Sequence, residues 1–452
     1  LADQLRAHRL ELLADPEDEL ADPRTVFSWS YRSLPPETTW VFRTLSLHPG
    51  TEFCLAAAAA LIGLPVMEAR GALDRLVAVH LLEQTGPRRY RFHDLIREYA
   101  TERAASDEPA DARATATRRL LDWYLQSSYR ANRAFNFGTR ITVLPSADAD
   151  LEPLRFGDRS AALTWFQAEL PTLVAVAQHA ADHGHPAHAE QLQWVLAGPC
   201  ELTQRLDEWL ALATISYRSA ESLDAPAKHR AARGLGVVLS YLGRLDESEP
   251  YKEEALRHAR TAGDAEGIVN ALNGLGITRK DRGNWLAGLE CWHEALGTAR
   301  DNGLQSKAAV CLLNIGGEEA NNGRYEDAVR HLEEALDIFR ELDLPLQQGM
   351  ALSNLADAYA RAGDLRRAVR LCDDAVAVLA RTESGTVPFD FAMEMTRIYA
   401  RAGHRDKARQ VLRRTLQMLR GGAHPRLAEA EQLLLELGAV ETEQPARTAG
   451  PV

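Results

Sequence analysis

Gly243, Gly283, Gly323, Gly363 and Gly403 stand 40 residues apart. A fixed period of that size restricts a chain to stacked copies of one supersecondary unit. Other columns keep the same clock. Seven residues before each glycine stand Gly236, Gly276, Gly316, Ala356 and Thr396, and eight before it Leu235, Leu275, Ile315, Leu355 and Met395. Ala328, Ala368 and Ala408 follow the last three glycines at five residues, and Ala255, Ala295, Ala335 and Ala375 follow the first four at twelve. Small residues at these phases let two antiparallel helices approach closely, large apolar ones fill the layer between hairpins, and glycine supplies the turn. A lone hairpin leaves one face uncovered, so its neighbour must cover it. The expected result is an all-α solenoid with an inner surface suited to an extended ligand.

The whole chain of 452 residues is too long for one core. Its 46% hydrophobic and 26% charged content is that of a folded aqueous protein, and no apolar run is long enough to span a membrane. Fifty-two Lys and Arg against 64 Asp and Glu leave a net charge of −12, which is no polybasic nucleic-acid footprint. The five cysteines are scattered without a Cys-x-x-Cys pair, which points to reduced thiols and a cytoplasmic location. Leu1 opens an amphipathic pattern rather than a signal peptide, so the chain is expected to continue something longer.

Residues 312–336, LLNIGGEEANNGRYEDAVRHLEEAL, and 352–376, LSNLADAYARAGDLRRAVRLCDDAV, resemble the tetratricopeptide repeat, with a longer period than that family's usual 34 residues. Arg279 and Glu319 stand where the family prefers an aromatic residue. The repeats are expected over 201–437, with 207–223 a degenerate unit lacking a well-formed first helix, a capping helix at 425–437, and a disordered tail at 438–452. In peptide-holding members of the family, the inner face of each first helix bonds the ligand backbone through asparagine and its carboxylates through cations. By that resemblance the partner-binding candidates are Asn314, Asn354, Lys280, Asn321, Arg361 and Arg401, and the expected partner is a protein or peptide, with the cations suiting acidic groups.

The first hundred residues differ. Helices at 22–31 and 35–47, both opened by proline, and at 55–62 and 66–81 precede LLEQTGPRRYRFH, an alternating hairpin pattern, and another helix from Asp94. Helices followed by a two-stranded wing outline a winged-helix domain over 22–105, with a helical connector over 106–200. Helix 66–81 offers few residues able to reach base edges, and Arg88, Arg89 and Arg91 suit a solvated hairpin, so DNA reading is not expected of it. DPRTVFSWSYRSLPPETTWVFRTLSLHPG (22–50), YRFHDLIREYA (90–100) and ALTWFQAELPTLVAVAQHAADHG (162–184) resemble the signal-transducing NTPases with an NB-ARC domain, the AfsR-like regulators in particular.

That resemblance implies that residues 1–21 are the tail of a nucleotide-binding module and an acidic connector. It also implies that Phe92, His93 and Asp94 occupy the place of a Met-His-Asp motif whose histidine meets the β-phosphate of ADP. His93 and Asp94 are thus candidate nucleotide-sensing residues, with ADP or ATP held by the full-length protein. No stretch matches the P-loop pattern G-x-x-x-x-G-K-[ST], so this chain is expected to be no enzyme and to hold no cofactor by itself. His179, His183, His185 and His188 cluster, but Gly184 and Pro186 interrupt them and no further ligand completes a metal set. The eight tryptophans are expected to anchor cores. The implied function is the sensor half of a cytoplasmic transcriptional regulator whose DNA-reading domain lies outside this chain. The alternative is a stand-alone repeat scaffold for protein–protein interaction.

Overall fold

The computed structural model describes residues 23–135, 151–381, 389–419 and 427–439. They form 20 α-helices and one small sheet, an all-α architecture with tetratricopeptide-like hairpins. The expected segment 1–21 lies outside the described residues, as does the tail from 440 onward. The chain divides into two compact units, 1–234 and 235–452, each with its own core.

In the first unit, α1 (Pro23–Arg32) and α2 (Pro36–Leu45) lead to strand β1 (Glu52–Cys54) and helix α3 (Leu55–Ile62). Cys54 caps α3 by accepting the Ala57 amide at 3.5 Å, and Gly63 ends it at φ +69°. Helix α4 (Val66–Ala78) stops three residues before its expected end because His80 turns left-handed at φ +58°. Strands β2 (Glu83–Gly86) and β3 (Arg89–Arg91) then form the hairpin. The sheet has three strands rather than the expected two, in the order β1–β3–β2, with Phe53 opposite Tyr90. At three residues, β1 was too short to show an alternating pattern. Phe42, Phe53 and Phe92 pack as one aromatic cluster beneath it, with Phe42 and Phe92 ring centres 5.6 Å apart.

Helices α5 (Asp94–Asp107), α6 (Ala110–Ala134), α7 (Arg159–Asp182), α8 (Pro186–Leu202) and α9 (Leu206–Ser219) complete this unit with the first part of α10 (Ala225–Tyr241). The segment expected to be a unit without a first helix has one: α8 packs against α9. Pro199 hides it in the sequence, because an interior proline removes the bond to the carbonyl four residues earlier. That carbonyl, on Val195, accepts the Asn132 side-chain amide at 2.7 Å instead. Trp123 and Trp209 are buried as expected, but Trp29 is 58% exposed and anchors no core.

The second unit contains α11 (Leu245–Ala262), α12 (Ala265–Asp281), α13 (Trp285–Asp301), α14 (Gln305–Asn321), α15 (Tyr325–Glu341), α16 (Pro345–Arg361), α17 (Leu365–Leu379), α18 (Phe389–Arg401), α19 (Arg405–Leu419) and α20 (Leu427–Ala439). Even-numbered helices from α12 to α18 are first helices of hairpins, and odd-numbered ones from α11 to α19 are second helices. The small column earns its place by contact: a Cβ on Gly276 would fall 2.4 Å from Trp292, and one on Gly316 2.6 Å from Leu332. The turn glycines adopt positive φ, Gly323 at +78° for example, and Asp343 alone among these turns adopts it, at +48°, without being glycine. Gly438 and Ala439, expected in the tail, belong to α20.

One residue breaks the apolar rule of the second helices. Lys252 occupies the phase of Trp292, Leu332, Cys372 and Leu412 and is only 4% exposed. Its ammonium donates to Ser240 at 2.7 Å and Thr278 at 2.6 Å, so the first inter-hairpin joint of this unit is polar at its centre.

Candidate functional site

Phe92, His93 and Asp94 sit where β3 passes into α5. The Phe92 ring is buried, which turns the next two side chains outward: His93 and Asp94 are both exposed. His93 is itself the N-cap, in extended backbone and without a side-chain cap bond, while Asp94 is the first helical residue. Asp94 therefore does not cap the helix; its carboxylate lies in the first turn, where the helix dipole favours it, and it acts on the Arg97 guanidinium. An exposed imidazole at a helix N-terminus fits a phosphate group chemically.

Behind this corner lies a buried polar network that the sequence did not reveal. Arg97 donates to the carbonyls of Gly50, at 2.9 Å, and of His48, and burial holds its pKa below the usual value against the favourable charge of Asp94. The His48 ring accepts the Gly50 amide at Nδ1, at 3.1 Å, so its Nε2–H faces the Tyr124 hydroxyl at 3.0 Å. Burial, then the nearby Arg97 charge, pushes the His48 pKa down to about 3. Tyr124 donates to Glu169 at 3.4 Å, and Arg89 reaches the same carboxylate at 2.5 Å. Arg89, expected to be a solvated wing residue, thus ties β3 to α7 through an almost fully buried partner. The alternation of Arg89, Tyr90 and Arg91 places the two arginines on one face, but nothing in the sequence links Arg89 to a glutamate 80 residues away.

The histidine cluster separates into two contacts. The rings of His179 and His183 stack at 3.9 Å, and His188 bonds Asp122 at 2.8 Å.

In the second unit, the six partner-binding candidates fall into two groups. Asn314 and Asn354 lie half-buried on α14 and α16, with Val310 and Gly317 beside the first and Met350 and Asp357 beside the second. These positions share one accessible stripe at helical spacing. Asn314 donates to Asn273 on α12 at 2.5 Å, which extends the asparagine series by a residue missed in the sequence because it stands one position off the 40-residue phase. The other four are engaged within the chain, three on their own helix and Arg401 across to α16. Lys280 pairs with Asp281 at 2.9 Å, Asn321 contacts Glu318 at 3.5 Å, Arg361 pairs with Asp357 at 2.7 Å, and Arg401 donates to the Ala360 carbonyl at 3.1 Å. Lys307, also missed, bonds Asn270 at 2.8 Å and Glu266 at 3.1 Å on the same side. At the far end of the stripe, burial and the adjacent Asp357 carboxylate raise the pKa of Glu394.

A family model described as tetratricopeptide repeat matches residues 267–341 and 308–381. The regulatory protein AfsR of Streptomyces coelicolor is 31% identical over 272 residues, covering 59% of this chain and 27% of that protein. AfsR of Streptomyces griseus is 34% identical over 256 residues, 56% of this chain and 26% of that one. The chain thus spans about a quarter of the length of these curated relatives. Among solved structures, a signal transduction ATPase with numerous domains and a tetratricopeptide repeat sensor, from Pyrococcus horikoshii, aligns with a TM-score of 0.45 and 15% identity, covering 97% of this chain and 64% of that one. The chain is thus similar to AfsR over somewhat more than half of its length and carries tetratricopeptide repeats over 267–381.

Proposed function

We propose that the chain is the sensing half of a multidomain transcriptional regulator. The similarity to two regulatory proteins carries this reading, and the stripe through Asn273, Asn314 and Asn354 supplies the sensing surface. A protein or peptide lies along that stripe, its backbone amides meeting the asparagine side chains and its apolar groups meeting Val310 and Met350. Residues 22–105 act as a winged helix, and His93 faces the terminal phosphate of ADP held by a nucleotide-binding domain outside this chain. DNA is read by another such domain. The bound nucleotide supplies a phosphate charge that differs between resting and active states; the chain's part is to hold His93 outward from the buried corner of Phe92 and Arg97. Binding in the repeats shifts the switch only by its differential affinity for the two states.

The chain alone turns over no ATP, because no P-loop is present in its sequence; phosphate release above a buffer blank would overturn this. The sensing surface is tested by isolating the species that copurifies with the full-length protein and titrating it calorimetrically. Asn314→Ala together with Asn354→Ala weakens its binding about tenfold with an unchanged melting temperature. Unchanged affinity removes the stripe from the function.

A further inference from the structure

The second helices of the repeats carry a pair of adjacent residues at one phase of the 40-residue clock. It is Glu253–Glu254 on α11, His293–Glu294 on α13, Glu333–Glu334 on α15 and Asp373–Asp374 on α17. On α19 the same phase carries Arg413–Arg414. The sign of the surface reverses at the last hairpin.

The structure shows how the acidic members are used. The first of each pair takes a cation from the following hairpin: Arg279 reaches Glu253 at 2.9 Å, Arg367 reaches Glu333 at 3.5 Å and Lys407 reaches Asp373 at 2.7 Å. In two pairs the second takes one from the preceding hairpin: Arg260 reaches Glu294 at 2.5 Å and Arg300 reaches Glu334 at 2.6 Å. A ladder of ion pairs therefore runs helix to helix along this face, each rung weak alone because it is solvated.

Arg413 and Arg414 are exposed, and neither makes an ion pair or hydrogen bond among the described residues. Together with Asp406, Arg409, Gln410 and Gln417 they line a surface cavity of about 530 Å³. Arg409 is occupied, donating to the Leu437 carbonyl on α20 at 2.6 Å. Asp406 lies 3.6 Å from the same Arg409, so the face offers two guanidinium forks flanked by two carboxamides, with one carboxylate paired to Arg409 at its edge.

We propose that this face docks an acidic helical segment of a partner protein, whose carboxylates continue the ladder across a protein–protein contact. Three observations favour that occupant. The rungs along this face are themselves helix-borne carboxylates received by cations, arginine in four and Lys407 in the one beside this hairpin, the geometry the face is built to repeat. Guanidinium forks take carboxylates in pairs, giving orientation as well as attraction. Two arginines are also too few to hold a polyphosphate backbone against physiological salt. A second copy of this chain is disfavoured because every paired carboxylate of this column except Asp374 already has a basic partner, which leaves no adjacent carboxylate pair to offer.

The test uses fluorescence anisotropy with a labelled helical peptide bearing adjacent glutamate pairs, its glutamine counterpart, and a single-stranded oligonucleotide of matching charge. The glutamate peptide is expected to bind and the other two to bind far more weakly. Arg413→Glu with Arg414→Glu is expected to weaken it by about tenfold or more, and Arg413→Gln with Arg414→Gln by less. Both positions are solvent-facing, so circular dichroism and melting temperature stay unchanged. Affinity within about twofold after charge reversal overturns the proposal. So does tighter binding of the oligonucleotide, or sedimentation showing a dimer that the reversal abolishes.

Discussion

His48 makes the first unit sensitive to acid, and the size of the effect follows from its geometry. Its Nδ1 is already an acceptor for the Gly50 amide, so protonating the ring sets two N–H donors against each other in a buried site beside the Arg97 charge. The folded pKa is about 3 against 6.5 for the free side chain. A base with a depressed folded pKa supports folding fully above its unfolded value, and that support is lost as pH falls toward the folded one. At pH 5 the unfolded state has gained about 1.5 pH units of proton affinity over the folded state, about 2 kcal/mol. The Gly50 amide reports the event directly. Hydrogen exchange of the segment around residues 46–54, corrected for the intrinsic pH dependence, should show the opening free energy falling by about that amount between pH 7 and pH 5. His48→Asn keeps an acceptor for the Gly50 amide but cannot titrate, so its profile should be flat relative to the native chain. Equal slopes in the two proteins, or constant protection in the native one, would refute the assignment of the effect to His48. The charged and titratable groups facing His48 are Arg97, Arg89 and His179; His179, itself lowered to about 4 by burial, is present in both proteins, so the difference between the two profiles isolates His48.

Two further outcomes concern the repeats. Asp343→Gly should raise stability by up to about 1 kcal/mol, since aspartate there holds φ at +48°, while Gly323→Ala, with open space around its Cα, should cost about 1–2 kcal/mol from backbone strain alone; urea unfolding measures both. Lys252→Met should be neutral or stabilising, because an apolar chain of similar length replaces an ammonium at a buried phase that other hairpins fill with Trp292 or Leu332. A loss above about 2 kcal/mol in the same experiment would instead give the lysine bonds to Ser240 and Thr278 a dominant role.

The 40-residue clock in the sequence determined the hairpins, their turns and their close-packed column, because helix contacts within a repeat are local and recur wherever the spacing recurs. It also placed Asn314 and Asn354 on one face, since helical phase is a property of spacing alone. It did not show what Lys280, Arg361 and Arg401 meet within the chain, because their contacts with Asp281, Asp357 and the Ala360 carbonyl depend on side-chain reach and chain crossing. Strand β1, helix α8 and the Arg89–Glu169 tie were decided only by the tertiary structure. A three-residue strand carries no period, an interior proline is tolerated where Asn132 takes the freed carbonyl, and a buried ion pair joins residues that only the packing of β3 on α7 brings together.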